Sequence, residues 1–205
     1  MDLSPIQNAL SSGSYATIAD TCDELMLQAR SPPFRLASRG VRHQDDWPYA
    51  VHLLGYIFVN DLNSARFLWK SMPMENKESS PEVVAVWKIG KNIWNRDYSR
   101  VYEAIREFEW SAEIADMVAA FSEKYTEKMF QMLNSAYSTI SVEEVAKFLG
   151  MSEDKATNYS LQHGWKLDTS CKMLTVQKPI TVTSQRLLGS SKLQRLTEYV
   201  FHLEH

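Results

Sequence analysis

Cysteine is almost missing from this sequence: Cys22 and Cys171 are its 2 thiols, far apart, with neither a CxxC spacing nor a histidine cluster beside them. A disulfide framework or a zinc site needs more sulfur than that, and a reducing compartment is the expectation. Positive charge is also short. The 22 Lys and Arg face 25 Asp and Glu, a net charge of -3. A chain that grips phosphate backbones carries a basic excess, because each neutralised phosphate releases a counterion. Long apolar runs are missing too. The most apolar stretch, Ala50 to Val59, is interrupted by His52 and falls well short of the ~18 residues of a membrane span. The opening Met1-Asp2-Leu3-Ser4-Pro5 lacks the basic-then-apolar order of a secretory signal. A soluble, intracellular protein is expected. No HExxH, GxSxG, P-loop or dinucleotide fingerprint is present either, so no common enzyme class announces itself.

What is present is a globular composition, 44% hydrophobic and 23% charged, and helical periodicity along most of the chain. Ser4-Pro5 opens a first helix. A second runs from about Tyr15 to Gln28, with Ile18, Cys22, Leu25 and Met26 along one stripe. Ser31-Pro32-Pro33 and the polar, basic run to Asp46 mark an exposed connector. Trp47 to Val59 and Asn63 to Ser71 form a helix pair around the turn Asn60-Asp61, and Pro73 stops the second member. Met74 to Ser80 reads as a loop. Pro81 to Trp94 and Tyr98 to Phe108 form another pair around Asn95-Arg96-Asp97.

The two pairs align at a shift of about 35 residues. Leu54 falls on Ile89, Gly55 on Gly90, Phe58 on Ile93, Asn60 on Asn95 and Phe67 on Tyr102. Gly13-Ser14-Tyr15 followed by Ile18 echoes Arg96-Asp97-Tyr98 followed by Val101, which makes the first pair a degenerate copy. Such pairs bury their apolar faces on one another and leave a curved outer surface for partners. A long helix from about Ser111 to Ala136 follows, its face carrying Ile114, Met117, Val118, Phe121, Tyr125, Met129 and Leu133. Core packing is the expected use of that face, with a Met-rich binding groove as the alternative.

The sharpest local pattern begins at Ile140. Ser141-Val142-Glu143-Glu144 is a capping box in which the Ser141 hydroxyl accepts from the Glu144 amide while Glu144 reaches back. Val145, Phe148 and Leu149 form the inner face, and Gly150 supplies the left-handed cap. Ser152 caps a second short helix ending at Gly164, and two short strands follow at Trp165-Lys166-Leu167 and Cys171 to Val176. Two helices and a strand pair describe a winged helix. The segment Glu153 to His163 would be its recognition helix, but it opens with two carboxylates and holds one Lys and no Arg. It would repel phosphate, despite Lys166, Lys172 and Lys178 nearby.

Ser190-Ser191 caps a final helix whose seam is Leu193, Leu196, Val200 and Leu203, flanked by Tyr199 and Phe201. So short a helix is marginal alone. Burying each large anchor is worth ~1.5–3 kcal/mol, enough in sum to hold a partner chain or to dock on this chain's own core. Both readings stand on the residues. His202 and His205 lack a third ligand and make a poor metal site. Asp45-Asp46 serves best to start a helix, Glu107 and Glu109 flank a turn, Cys22 reads as a buried structural thiol and His52 as a satisfied core or interface histidine. No catalytic, cofactor-binding or metal residue is expected.

Helix pairs, a long helix and then a winged helix form the arrangement of a PCI domain. Within that group the chain resembles the subunit-eight family of the COP-nine signalosome in its plant form. The resemblance is carried by Met1 to Pro5, Asp45 to Tyr56, Ser64 to Ser71, Ala136 to Ile140 and Ser190 to His205. It is thinnest over Arg30 to Gln44 and Asp168 to Gly189.

The resemblance implies a mainly α fold in three parts. A TPR-like helical-repeat domain would occupy 1–136, the winged-helix part of the PCI domain 137–182, and a linker with a bundle helix 183–205. It implies a non-catalytic scaffold in a complex that removes NEDD8 from cullins, so regulating cullin-RING ubiquitin ligases and, in plants, repressing photomorphogenesis. Catalysis there belongs to a subunit that binds zinc through His-x-His, a motif this sequence lacks.

The implied partners are the other PCI and MPN subunits, with cullin-RING ligases reached indirectly, in the cytoplasm and nucleus. The implied contacts are the winged-helix edge at Trp165, Leu167, Met173 and Val176, and the bundle helix at Leu193, Leu196, Tyr199, Val200, Phe201 and Leu203. A small PCI subunit of translation initiation factor three is the alternative of the same architecture. A winged-helix DNA-binding regulator is the alternative of another class.

Overall fold

A computed structural model describes residues 2–30, 47–168 and 171–177. The connector from Ser31 to Gln44 and the tail helix therefore lie outside the described residues. Helices dominate. They are α1 (Ser4–Ser11), a 3-10 turn (Tyr15–Thr17), α2 (Ile18–Arg30), α3 (Tyr49–Phe58), α4 (Leu62–Ser71), α5 (Met74–Ser79), α6 (Pro81–Trp94), α7 (Tyr98–Arg106) and the long α8 (Ala112–Ala136). A small domain end follows: β1 (Thr139–Ser141), α9 (Val142–Leu149), α10 (Glu153–Gln162), β2 (Lys166–Asp168) and β3 (Met173–Thr175).

Three interhelical turns have the same construction. At Gly13, Asn60 and Arg96 the backbone enters the left-handed region, with φ of 70°, 65° and 59°. In each, the next amide bonds back to the carbonyl five residues earlier: Ser14 to Ala9 at 3.0 Å, Asp61 to Tyr56 at 2.9 Å and Asp97 to Asn92 at 2.9 Å. This double closure satisfies the last carbonyls of the helix and turns the chain back on itself.

The equivalence of Asn60 with Arg96, and of Asp61 with Asp97, sets the repeat at 36 residues rather than 35. Gly55 and Gly90 are consequently not counterparts. Each is small for its own reason: a β-carbon on Gly55 would meet the Ala19 backbone at 3.1 Å, and one on Gly90 would meet the Ile57 side chain at 3.0 Å.

Two local expectations need correction. Met74–Ser79 is a short helix, not a loop, framed by Pro73 at its N-cap and Pro81 after it. Thr139–Ser141 is a third strand that the expected strand pair omitted.

The long α8 supplies the spine. Every member of its expected stripe, from Ile114 to Leu133, is buried, and Phe130 joins them, so the Met-bearing face is core. Lys124 and Lys128 reach from α8 to the end of α3, donating to the Phe58 carbonyl at 3.1 Å and to Asn60 Oδ1 at 2.7 Å. They cap that helix end and fix the repeats against the spine.

The sheet is open, antiparallel and ordered β1-β3-β2. Ile140, Leu174 and Leu167 are cross-strand neighbours on its inner face. One continuous apolar core runs from Ile6 in α1 through α8 to Leu174 and Val176. The fold is mainly α, with a winged-helix-like end of the kind found in PCI domains.

Candidate functional site

The winged-helix end is positioned by capping, a left-handed glycine and aromatic packing. Ser141 accepts the Glu144 amide at 3.2 Å, and its hydroxyl meets the Glu144 carboxylate at 3.2 Å. The glutamate thus turns to the hydroxyl rather than to the Ser141 amide expected of a full capping box. Ile140 and Val145, placed to staple the helix entry, are both buried. Gly150 closes α9 with φ of 63°. From α8, Phe130 stacks on Trp165 at 4.8 Å and meets Tyr159 edge-on at 5.2 Å, which docks α10 and the strands onto the spine.

This geometry separates the four residues expected at a pairing edge. Trp165 and Val176 are buried in the core. Leu167 is half-buried on the inner face beside Leu174, on the outer strand β2. Met173 is half-buried on the outward face of β3, the central strand, whose two sides are already paired to β1 and β2. Among the described residues the outer strands are β2 and β1, so an incoming strand would meet the sheet at one of those two. Leu193, Leu196, Tyr199, Val200, Phe201 and Leu203 lie outside the described residues.

The most chemically suggestive cluster lies at the other end of the molecule. His52 Nε2 is 3.2 Å from Asp23 Oδ1, and Trp47 Nε1 donates to His52 Nδ1 at 3.4 Å. The Tyr56 hydroxyl donates to Asp23 at 2.5 and 2.7 Å and its ring stacks on the imidazole at 4.8 Å. These bonds assign the tautomer: Nδ1 accepts, so Nε2 carries the hydrogen towards the carboxylate.

A histidine–aspartate pair becomes a base only when its second nitrogen faces a substrate or nucleophile. Here that nitrogen faces an indole N–H, and His52 is 1% exposed. Burial holds its pKa below the ordinary 6.5, against the opposing pull of Asp23. Cys22 beside it is buried and pushed up to about 12 by burial and then by Asp23, the reverse of an activated thiol. Tyr56 is raised by burial and by its bond to Asp23. The cluster ties α2 to α3 and performs no chemistry that its geometry supports. Sequence flagged His52 as a satisfied core residue, but Asp23 and Tyr56 were invisible because their meeting depends on helix packing.

A cleft of about 260 Å³ opens beside Trp47, Pro48, Glu82 and Glu113. Its two carboxylates share the described lining with the Ser79 and Ser80 hydroxyls but with no Lys, Arg, His or Cys. Among the described residues no three His, Cys, Asp or Glu side chains gather to hold a metal ion. None of the described helices is long and apolar enough to cross a membrane.

Comparison with known proteins decides the family. The CSN8/PSMD8/EIF3K family matches residues 43–184, from just before α3 to just past the sheet. The chain belongs to the CSN8/PSMD8/EIF3K family. Within the curated relatives, the COP9 signalosome complex subunit 8 of Arabidopsis thaliana is 56% identical over 205 residues, the whole of both chains. That of Xenopus laevis is 32% identical over 205 residues, again the whole of both. That of Danio rerio is 36% identical over 157 residues, 77% of this chain and 82% of its own. The family match spans the two later helix pairs, the spine and the winged-helix end together, and leaves out α1 and α2, which share the same core. The plant relative aligns along the terminal seam as well.

Proposed function

We propose that the chain is a non-catalytic subunit of the COP9 signalosome, similar to the plant subunit 8, and that it acts by holding other chains. One observation carries this reading: the similarity to the Arabidopsis subunit covers the whole of both chains, at 56% identity over 205 residues. Similarity over the full length, and not over a core domain alone, supports a shared role in the complex. The buried and satisfied state of His52 and Cys22 supports a role without chemistry of its own.

In this reading the complex strips NEDD8 from cullins, in the cytoplasm and nucleus, and reaches cullin-RING ligases through other subunits. The chain's partners are fellow PCI and MPN subunits. Two surfaces make the contacts. One is the outer strand of the winged-helix sheet at Leu167, with Met173 on the outward face behind it. Trp165 and Val176 support that edge from within the core. The other is the terminal seam of Leu193, Leu196, Tyr199, Val200, Phe201 and Leu203, which joins a bundle of helices. Four or five such anchors at ~1.5–3 kcal/mol each suffice for stable association.

The test is the double variant Leu196→Asp with Val200→Asp. It should leave a folded chain that no longer co-purifies with the other subunits. Normal assembly of that variant would remove the seam from the account.

A further inference from the structure

Of the 8 large apolar side chains exposed among the described residues, 4 belong to the segment α4–α6: Phe67 on α4, Met74 on α5, and Val84 and Trp94 on α6. Phe67 is 68% exposed and Trp94 49%. The helices α4 and α6 lie side by side and antiparallel, and the aromatic residues between them form a ladder. The Arg66 guanidinium sits 5.4 Å from the centre of the Trp94 ring. One turn along, Trp69 stacks on Trp87 at 5.2 Å with the planes 8° apart. Lys77 from α5 lies over Trp69 at 5.2 Å. Val84, Trp87, Lys91 and Trp94 continue the face along α6 at three- and four-residue steps.

The polar character of this face is one-sided. Arg66, Lys70, Lys77 and Lys91 have no carboxylate partner among the described residues, and Trp69, Trp87 and Trp94 donate their indole N–H to none of them. By contrast Trp110 donates to the Ile105 carbonyl at 2.8 Å, and Lys88 is paired with Glu107. Residues 62–94 hold five Lys and Arg against three Glu, a net +2 in a chain of net -3. Of those three, Glu82 already accepts from the Ser111 amide at 3.0 Å. Glu75 and Glu78 on α5 are the other two acids of residues 62–94, so donors and cations outnumber acceptors in that segment.

A surface of donors, cations and exposed aromatic edges is complementary to a partner rich in carboxylates with an apolar anchor. We propose that the α4–α6 face is a docking site for an acidic peptide segment of a partner chain. Its carboxylates meet Arg66, Lys70, Lys77 and Lys91, and an aliphatic or aromatic side chain seats against Val84 and Trp94 on α6. The chain's own connector is no match, since Arg35, Arg39 and Arg42 make it basic. A single-stranded nucleic acid fits less well. Base stacking needs open ring faces, and here one face of each indole is taken by a cation or by another indole.

The experiment uses the full-length chain and fluorescence anisotropy with three labelled probes. They are a synthetic peptide alternating Glu with Phe and Leu, its twin with Lys for every Glu, and an oligothymidylate. The acidic peptide should bind, and weaken as salt is raised. Arg66→Glu with Lys91→Glu, at exposed positions, should cut its affinity by roughly tenfold or more while leaving the circular dichroism spectrum unchanged. Glu75→Lys with Glu78→Lys should tighten it, which gives a gain that a misfolded variant cannot mimic. Binding of the basic twin as tight as the acidic peptide, tighter binding of the oligothymidylate, or affinity unmoved by both variant pairs would overturn the proposal.

Discussion

The ring of Tyr102 lies across Gly150 so closely that a β-carbon on that glycine would come within 2.2 Å of the ring's Cγ. The two residues belong to different parts of the molecule, the last repeat helix and the cap of α9. Arg106, also on α7, donates to the Gly150 carbonyl at 3.1 Å. This contact locks the winged-helix end onto the repeats.

Gly150→Ala should therefore cost about 3 kcal/mol or more, the sum of a left-handed backbone and a displaced aromatic ring. Gly13→Ala is the control. It has φ of 70° but nothing within 4 Å of the added carbon, so it should cost only about 1 kcal/mol. Urea unfolding of both variants measures the difference.

Stability should fall as pH drops below about 6.5. Burial lowers the pKa of His52 in the folded chain beneath the ordinary 6.5, so the unfolded chain takes up a proton that the folded one resists. The contribution is complete above 6.5 and is lost on acidification until the folded value is passed. Asp23 opposes the shift, and Tyr56 and Cys22 are the other titratable groups near the ring. His52→Gln should flatten this part of the profile, read as the urea midpoint at pH 7.5 and 5.5.

Trp165→Ala should cost about 3–5 kcal/mol, because its indole is 3% exposed and stacked on Phe130. A residue working only at a partner surface would be replaceable in the isolated chain with little loss. Thermal unfolding of the chain alone distinguishes the two.

Ser141→Ala removes the hydroxyl that accepts the Glu144 amide, and should destabilise by about 1 kcal/mol. Denaturant titration reads it directly. Ser141→Asp, which restores an acceptor at the same place, should recover most of the loss.

Most of the helices were legible because their apolar residues recur at helical spacing, and Ser141 and Gly150 marked the two ends of α9 by capping chemistry. The features that were not legible depend on distant partners. The strand Thr139–Ser141 is three residues long and exists by pairing with Met173–Thr175. The Met74–Ser79 helix has no apolar periodicity and rests on being framed by two prolines. The repeat was set one residue short because Gly55 and Gly90 look equivalent. The true register is carried by left-handed backbone at Asn60 and Arg96; asparagine favours that conformation, but arginine does not advertise it. At the candidate site, sequence marked the strands after α10 but not which of them lies in the middle of the sheet, since strand order is a tertiary fact. The cationic aromatic ladder was hidden for the same reason: Trp69 and Trp87 lie 18 positions apart and meet only once α4 and α6 pack.

The central claim is that this chain works as a subunit that holds others. Affinity purification of the full-length chain from its native source, with mass spectrometry of what accompanies it, tests that most directly. The account predicts signalosome PCI and MPN subunits in stoichiometric amounts, with cullins trailing. Recovery of an unaccompanied monomer, or of initiation-factor and ribosomal proteins instead, would contradict it.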